Sequence, residues 1–454
     1  MRLVTVAFSG VLALSAIASA RAESINEALA AAYNNNPTLN AQRSATRSND
    51  ENLPQAKAGF RPQIAATANA SLQRSIVNTA AGNVRSDLVP FGYGIQISQN
   101  LFNGFRTINT VEAARSGVFA SRETLRNVEQ NVLLSSAQAY VNVLQTFELI
   151  DIRQRNIEFL EEQLRSSRAR LDVGEGTRTD VAQSQARLAL AQAQWSAARA
   201  AHVAAKGVYR QLTGLNAGRL TWPRGPIRLY PSSLEAGMKV AWSEHPAIRA
   251  TQHLVDVAVF NTKTAEGAFL PTLGLTASAT KDYNFSDSID SRSNLQAQLS
   301  LSVPLYQAGG ASSAVRQSKE LESQRRIEVD QSRDQIRSQL VTAWTELQSA
   351  NVNLRANAEQ VKASKLALAG VIEERNVGQR TQLEVLDAQS QLLQAEELVL
   401  NSRASQVSAG YSLVAAIGRL DSRRLGLNVA HYKPVKHFDS VKDKWFGLRT
   451  PDGR

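Results

Sequence analysis

The chain repeats itself, and this repeat restricts its possible folds more than any other feature. INEALAAAYNNNPTL from Ile25 to Leu39 aligns with LEAGMKVAWSEHPAI from Leu234 to Ile248 at an offset of 209 residues. AKAGFRPQI aligns with AEGAFLPTL at the same offset, and LFNG aligns with LYQA at 204. The offset changes where each copy needs a loop, and loops tolerate changes in length. We therefore predict two copies of one structural unit.

The chain begins with an export signal at residues 1–22. Arg2 supplies a positive start, a largely apolar stretch follows, and Ala20-Arg21-Ala22 offers a small-x-small cleavage pattern. We expect cleavage after Ala22 or, nearly as well, after Ala20. No later segment has about 18 consecutive apolar residues, so we do not expect a helical inner-membrane protein.

Composition excludes several classes of site. Cysteine is absent, which removes disulfides, thiolate metal sites and lipoprotein-type acylation. The five histidines lack zinc-binding spacing, and no P-loop or nucleophile elbow occurs, so we expect no metal, no cofactor and no enzyme activity. The net charge of +11 is spread over helices that also carry acids, which argues against nucleic acid. Residues 421–454 carry part of this excess, and we interpret them as a solvated periplasmic tail or, alternatively, a lipid- or partner-binding strip.

Alternating residues predict two strands in each copy. The apolar face of Asn294–Leu305 consists of Leu295, Ala297, Leu299, Leu301, Val303 and Leu305. Glutamine and serine dominate its other face, and Thr272–Thr280, Gln63–Leu72 and, more weakly, Gly92–Leu101 alternate similarly. Period two over about 11 residues suits a tilted membrane strand with lipid on one side and water on the other. Each segment alone would also fit a soluble sheet, but four in an exported chain favour a barrel.

The remaining segments predict unusually long helices. Val118–Val173 contains neither glycine nor proline, and 56 helical residues would extend about 84 Å. Small residues recur along Ala186–Lys206, which allows close packing of neighbouring helices. Because large aliphatic residues are too few for a solid core, we expect a hollow, coiled-coil-like helical cylinder rather than a globular domain.

Glycines interrupt the helical pattern once in each copy. Gly174 and Gly176 in the first copy, and Gly378 in the second, can end a helix in the left-handed conformation. We expect antiparallel helix hairpins to turn there. Each copy then reads short helix, strand, loop, strand, long helix, tight turn, long helix, with the copies at 23–222 and 223–420.

These elements resemble the TolC family of outer-membrane factors from about Ser24 to Gly418. The likeness lies in the repeated N-x-P-x-L element, varied in the second copy as HPAI, and in the FRPQI and FLPTL elements. LFNGF from Leu101 and VGQRTQLEVLDAQSQLL from Val377 also contribute. The last is the most specific, since it is similar to the family's VGTRT-x-x-DVLDA stretch.

The resemblance implies an α+β outer-membrane protein that forms a homotrimer. Four strands from each chain would form a 12-stranded barrel, continued by a long α-helical periplasmic tunnel. A periplasmic adaptor and an inner-membrane pump of the RND, ABC or MFS type would dock at its far end. The chain would then export drugs or secreted proteins without catalysing a reaction.

The resemblance also places a gate at the hairpin tips. Arg380 matches the family arginine of the second tip, and Thr179 and Asp180 match its partners at the first. We hypothesise that Arg380 bonds Asp180 and the region of Thr179 in the resting state. The family often has a tyrosine three residues before the tip glycine, where this chain has Arg375, so a second link to Asp180 is possible but chemically different. Unrelated surface charges are the plainer alternative.

Glu384 and Asp387 match the paired acidic positions of the family's entrance. At i and i+3 they share one helix face. In a trimer they would form two stacked carboxylate rings that favour cations. An isolated pair of this kind is usually a solvated surface.

Two other functions compete with this one, and only the first stays open. A structural coiled-coil protein of the cell envelope would have the long helices and only incidental strands. A passive diffusion porin conflicts with four strands per chain and with the helices. Conduction through a heat-modifiable, membrane-inserted trimer would support the export channel, whereas a soluble filamentous particle would support the structural protein.

Overall fold

The computed structural model describes residues 23–286 and 288–453, so the predicted signal peptide lies outside the described residues. The elements of the first half are α1 (Ile25–Asn35), α2 (Pro37–Asp50), α3 (Asn52–Lys57), β1 (Gln63–Ala70), β2 (Gln73–Thr79), β3 (Gly82–Leu88), β4 (Phe91–Asn103), α4 (Arg106–Asp172) and α5 (Arg178–Thr213). Those of the second half are α6 (Leu234–Glu244), α7 (Pro246–Glu266), β5 (Thr272–Ser286), β6 (Ile289–Ser302), α8 (Gly310–Asn376), α9 (Gln382–Ala416) and α10 (Pro434–Val441). The predicted order of short helix, strand, strand and long helical hairpin occurs in each half.

The N-x-P element and its variant start equivalent helices. Asn36 caps α2 by accepting the Thr38 N–H at 2.9 Å, and His245 caps α7 by accepting the Ala247 N–H on Nδ1 at 3.2 Å. Proline follows each cap, where its missing N–H and its fixed φ suit the first helical position. The two halves therefore start equivalent helices in the same way, with an amide as the cap in one and an imidazole in the other.

Four antiparallel strands form one sheet in the order β1-β4-β5-β6. Directly paired residues share a face, and the register places Ile64 beside Ile97, Ile97 beside Ala277, and Ala277 beside Ala297. The opposite face is lined by Thr67, Asn69, Gln96, Ser98, Thr276, Ser278, Gln296 and Gln298. One face of the sheet is therefore largely apolar and the other polar, as the period-two pattern predicts.

The strand boundaries differ from the sequence prediction. The loop expected between the first two strands is itself a hairpin, because β2 and β3 pair with each other as a separate two-stranded sheet. β5 extends beyond the predicted Thr280 to Ser286. β6 begins at Ile289, before the predicted Asn294, and ends at Ser302 rather than Leu305. Polar residues such as Asp282 and Arg292 continue the ladder there because main-chain pairing does not require apolar side chains.

The two halves meet at a close backbone contact beneath the sheet. Gly104 has φ of 66°, and a β-carbon there would lie 2.3 Å from the Gly267 carbonyl oxygen. A β-carbon on Gly267 would similarly lie 2.4 Å from the Gly104 carbonyl oxygen. Glycine is required at both positions, since no side chain fits this approach.

α4 and α8 contain 67 residues each, and about 100 Å of helix follows from the rise per residue. Four buried residues of α5 are spaced by seven, Ser184, Ala191, Ala198 and Ala205, and Tyr209 and Thr213 follow at spacings of four. Over the middle of α8 the buried residues follow spacings of three, four and seven, at Val329, Ile336, Leu340, Ala343, Leu347 and Ala350. This spacing keeps one narrow stripe of each helix against its neighbours. Within the described ranges, no helix is both long enough and apolar enough to cross a membrane.

Residues 421–441 pack against the rest of the chain, which corrects the expectation of a solvated tail for this part, whereas residues 445–453 are exposed. Leu427 and Val441 are buried. The His437 imidazole lies 2.9 Å from the buried Asp50 carboxylate on α2, and the Arg122 guanidinium lies 4.7 Å from the Phe438 ring centroid. Apolar residues spaced among the charges allow one side of this segment to bury while the basic residues stay solvated.

Candidate functional site at the hairpin tips

Both hairpins reverse through the same backbone geometry. Gly174 after α4 and Gly378 after α8 each have φ of 81°. The following residue in each tip donates its N–H at 2.8 Å to a carbonyl five residues earlier. A left-handed residue followed by such a bond closes a helix end, and glycine tolerates it without strain. Gly176 follows in the first tip, and its N–H shares the Arg170 carbonyl at 3.1 Å. We call residues 173–177 the first tip and residues 377–381 the second tip.

Each return helix starts with a threonine that bonds a carboxylate residue three positions later. Thr177 pairs with Asp180 before α5, and Thr381 pairs with Glu384 before α9. The Asp180 carboxylate accepts the Thr177 N–H at 3.1 Å, and the Glu384 carboxylate accepts the Thr381 N–H at 2.8 Å. These reciprocal bonds are capping boxes, which satisfy the free N–H groups of a helix start. Asp180 and Glu384 therefore occupy equivalent positions in the two halves.

Arg380 binds two carboxylates of its own hairpin. Its Nε lies 2.7 Å from Glu374, and its Nη1 lies 2.7 Å from Glu384. The Thr381 N–H and the Arg380 guanidinium together lower the pKa of Glu384 to about 2. Within one chain Arg380 thus engages these two groups, while Asp180 caps its own helix on the other hairpin. The hypothesised bond between Arg380 and Asp180 is absent within this chain and stays a prediction for the assembled channel.

Arg375 lies buried at the second tip. Its guanidinium donates to three amide oxygens, those of Gln163 at 3.2 Å, Gln382 at 2.6 Å and Asn376 at 3.1 Å. Burial and the nearby Arg170 lower the pKa of Arg375. Amide oxygens supply hydrogen bonds without neutralising the charge, so this guanidinium is an incompletely compensated buried cation.

Asp387 is bound across the hairpins rather than free on a helix face. Its carboxylate lies 2.9 Å from the Arg187 guanidinium on α5, and both side chains are about half exposed. Two further ties join the hairpins higher up, Gln389 to Asn156 at 2.9 Å and Arg153 to Glu397 at 2.6 Å. An apolar cluster of Ile157, Leu160, Ala191 and Leu386 packs beside them. Both carboxylates of the predicted acidic pair are therefore already bonded to arginines.

The sequence contained a signal for part of this geometry. The spacing Thr-x-x-Asp and Thr-x-x-Glu directly after a glycine turn is the signature of a capping box, and it identifies the local role of Asp180 and Glu384. No local pattern identifies Arg187 or Gln163, because each meets its partner from the other half of the chain. Thr179 lies exposed in the first turn of α5.

The described part of the chain contains no group of three histidine, aspartate or glutamate side chains positioned to hold a metal ion. The features at the tips are polar ties and helix caps. Such contacts suit a mechanical or conformational role.

Comparison with known proteins relates the chain to one family by sequence and to one fold by structure. The family model described as outer membrane efflux protein matches residues 28–215 and 238–419, once in each half. The chain is 44% identical over 437 residues to outer membrane efflux protein BepC of Brucella suis biovar 1 (strain 1330), which covers 96% of this chain and 94% of BepC. It is 26% identical to alkaline protease secretion protein AprF of Pseudomonas aeruginosa, over 74% of this chain and 72% of AprF.

The fold is similar to that of the Campylobacter jejuni CmeC outer membrane channel. The TM-score is 0.78 at 16% identity, and the match covers 92% of this chain and 89% of CmeC. At this identity the likeness concerns the fold alone.

Proposed function

The chain belongs to the outer membrane efflux protein family, and on this premise we propose how its sheet and hairpin tips form a gated channel. It is an outer-membrane efflux channel with a large periplasmic portion. The family consists of channel proteins rather than enzymes. The alternatives of a structural envelope protein and a passive porin are therefore set aside.

The observation that carries the channel proposal is the two-sided sheet. Leu295, Leu299 and Leu301 on β6 are more than 60% exposed, and they share a face with the apolar residues of the other strands. Lipid would cover this face, and the polar face would line water. The outer edges of β1 and β6 have no partner strand within the described sheet. Since unpaired edges are not tolerated in lipid, three copies joined edge to edge would form a closed 12-stranded barrel.

Below the barrel, the hairpins would form a periplasmic tunnel built from two duplicated halves. The spacing of buried residues along α5 and α8 supports coiled-coil packing in its wall. Channels of this family are trimeric and work with a periplasmic adaptor and an inner-membrane pump. We propose the same partners here, with exported drugs or secreted proteins as cargo, because the relatives BepC and AprF are named for efflux and for protease secretion.

The ties between the hairpins support a gate at the tunnel entrance. Arg375 with Gln163, and Arg187 with Asp387, join the second hairpin to the first within each chain. An exposed ion pair such as Arg187–Asp387 contributes only about 1 kcal/mol or less, so a docking partner could break it. Arg380 would exchange between its own carboxylates and Asp180 of a neighbouring chain as the tips move.

Conductance in planar lipid bilayers tests this proposal. The purified protein should insert and conduct with a small resting conductance, and Arg380→Ser should raise that conductance several-fold. Arg355→Ser, an exposed arginine along α8, is the matched control and should leave it unchanged. Failure of the wild type to conduct would contradict the channel, whereas equal resting conductance of wild type and R380S would remove Arg380 from the gate.

Ion selectivity tests the acidic rings. Glu384 and Asp387 from three chains would surround the entrance, but each is bonded to an arginine in the single chain. Opening that moves these arginines away would expose the carboxylates and favour cations. The pair Glu384→Gln/Asp387→Asn should therefore lose cation preference and divalent block; unchanged selectivity would contradict the rings.

A further inference from the structure

A short apolar loop near the end of the chain lies beside the start of the sheet. The loop spans residues 444–449, and we call it the tail loop. The Lys444 side chain donates to the Arg449 carbonyl at 2.7 Å and closes it. Gly447, with φ of 113°, allows the chain to reverse between these residues.

The tail loop presents large apolar side chains to the outside. Trp445 is 67% exposed, Phe446 is 90% exposed and Leu448 is 103% exposed. Just before the loop, Val441 is fully buried, so the segment is docked up to that point. Three large apolar side chains held outward by a closed loop form a compact hydrophobic tip rather than scattered surface residues.

Polar contacts fix the tail loop next to β1. Asp443 bonds Lys57 at 2.6 Å, and the Arg61 guanidinium donates to the Lys444 carbonyl at 2.8 Å. The same guanidinium lies 4.5 Å from the Trp445 ring centroid. Arg61 is two residues before Gln63, where β1 begins. The loop therefore lies at the end of the sheet that joins the helices.

The apolar face of the sheet continues to this level. Ile64 at the start of β1 is 69% exposed, and Leu301 at the end of β6 is 65% exposed. Phe60, Phe105 and Tyr306 at the same ends of the strands are also exposed. Aromatic residues at the end of a lipid-facing strand mark the membrane–water interface.

The charges around the tail loop fit an anionic lipid surface. The tail loop itself carries Lys444 and Arg449 and no acid, while the neighbouring Lys442 is paired with Asp439 and Asp443 is paired with Lys57. Lys444 and Arg61 donate to main-chain carbonyls, which do not neutralise their charges. Basic residues flanking inserted aromatic and aliphatic side chains are the combination by which interfacial segments hold phospholipid headgroups and acyl chains together.

We propose that the tail loop inserts into the periplasmic leaflet of the outer membrane and anchors the tail there through phospholipid contacts. This rests on the proposed function, in which the sheet spans the bilayer. The anchor would add an interfacial ring around the foot of the barrel, supplied by a segment remote in sequence from the strands. A second copy of the chain as the occupant is the alternative that the following experiment tests.

Single-cysteine labelling tests the insertion, since the natural chain has no cysteine. The variant Phe446→Cys carries bimane in the full protein, reconstituted in nanodiscs that contain phosphatidylglycerol and doxyl-labelled phosphatidylcholine. Leu301→Cys on the apolar face of β6 reports the barrel, and Val377→Cys at the second tip, 72% exposed, reports water. All three positions are exposed, so the substitutions leave the core intact.

We expect the bimane at position 446 to lose about half of its emission to the lipid quencher, and that at position 377 to lose none. Quenching at 301 without quenching at 446 would overturn the tail-loop anchor and leave the channel intact. No quenching at 301 would overturn the channel itself. Disulfide formation between unlabelled Phe446→Cys chains, together with no lipid quenching of the labelled protein, would identify a second copy as the occupant and also overturn the anchor.

The charges provide a second measurement. Lys444→Gln/Arg449→Gln should lower the ratio of inserted to withdrawn loop by roughly fivefold per charge in anionic nanodiscs. The difference should disappear in pure phosphatidylcholine. Arg423→Gln, an exposed tail arginine outside the loop, is the control and should change nothing. Equal quenching of the double variant and the wild type in anionic lipid would contradict the electrostatic part of the proposal.

Discussion

Replacing His245 with asparagine should remove a loss of stability that the wild type shows on acidification. His245 is 3% exposed and caps α7 through Nδ1, which must be unprotonated to accept the Ala247 N–H. Burial lowers the pKa of His245 to about 4, with a hydrogen bond to the Ala415 backbone opposing this and Arg126 adding to it. Asn36 performs the same capping role in the first half without a titrating group.

The size of the effect follows from the two pKa values. The unfolded chain binds a proton at this histidine below pH 6.5, whereas the folded chain does not until about pH 4. The unfolded state therefore binds more protons in this window, and stability falls as the pH falls. The full loss is about 3 kcal/mol per chain, of which about 2 kcal/mol is reached at pH 5. The contribution is fully present above pH 6.5.

Unfolding by guanidinium chloride, followed by circular dichroism in detergent at pH 7.5 and pH 5.0, measures this difference. H245N should be within about 1 kcal/mol of wild type at pH 7.5, since asparagine keeps the cap but leaves a small space. At pH 5.0 H245N should retain about 2 kcal/mol of unfolding free energy that the wild type has lost. H253N replaces a partly exposed histidine on the same helix and should behave as wild type. Parallel loss of stability in wild type and H245N would refute the role assigned to His245.

Further substitutions test other parts of the fold. Gly104→Ala should destabilise the protein by about 2 kcal/mol or more in chemical denaturation, because it combines a left-handed backbone with a steric clash. Gly207→Ala lies in open space within α5 and should stabilise the protein by about 0.5–1 kcal/mol in the same assay. Glu384→Gln should speed amide hydrogen exchange in the first turn of α9 at pH 7. Because the pKa of Glu384 is lowered, the protection of the wild type is full above pH 4.5 and is lost as the pH falls toward about 2. Asp50→Ala removes the acceptor beside His437, and tryptic removal of the tail should accelerate about five- to tenfold. Unchanged exchange or cleavage rates would contradict these two roles.

The arginines at the tips illustrate where sequence reasoning stops. Arg375 and Arg380, on either side of Gly378, could be read from the second copy of the repeat, and so could the carboxylates that follow the threonines. The sequence did not show which partner each of these arginines bonds. Arg375 bonds Gln163, which is 212 residues away in sequence, and Asp387 bonds Arg187, which is 200 residues away. Arg380 instead selects the near carboxylates Glu374 and Glu384, which are already held in place by its own hairpin.

The sequence by itself determined the features that depend on local periodicity. Alternation at period two placed the four strands of the sheet, and glycines in long helical runs placed the two hairpin turns, because each requirement acts within a few neighbouring residues. Only the tertiary structure showed that β2 and β3 form an added hairpin, where the tail packs, and which side chains join the two helical hairpins. The packing of the tail and the ties between hairpins depend on side chains that come from distant elements, which a local pattern does not identify. Among the described strands, β2 and β3 pair only with each other, but their residues lack the period-two alternation that marked the other strands.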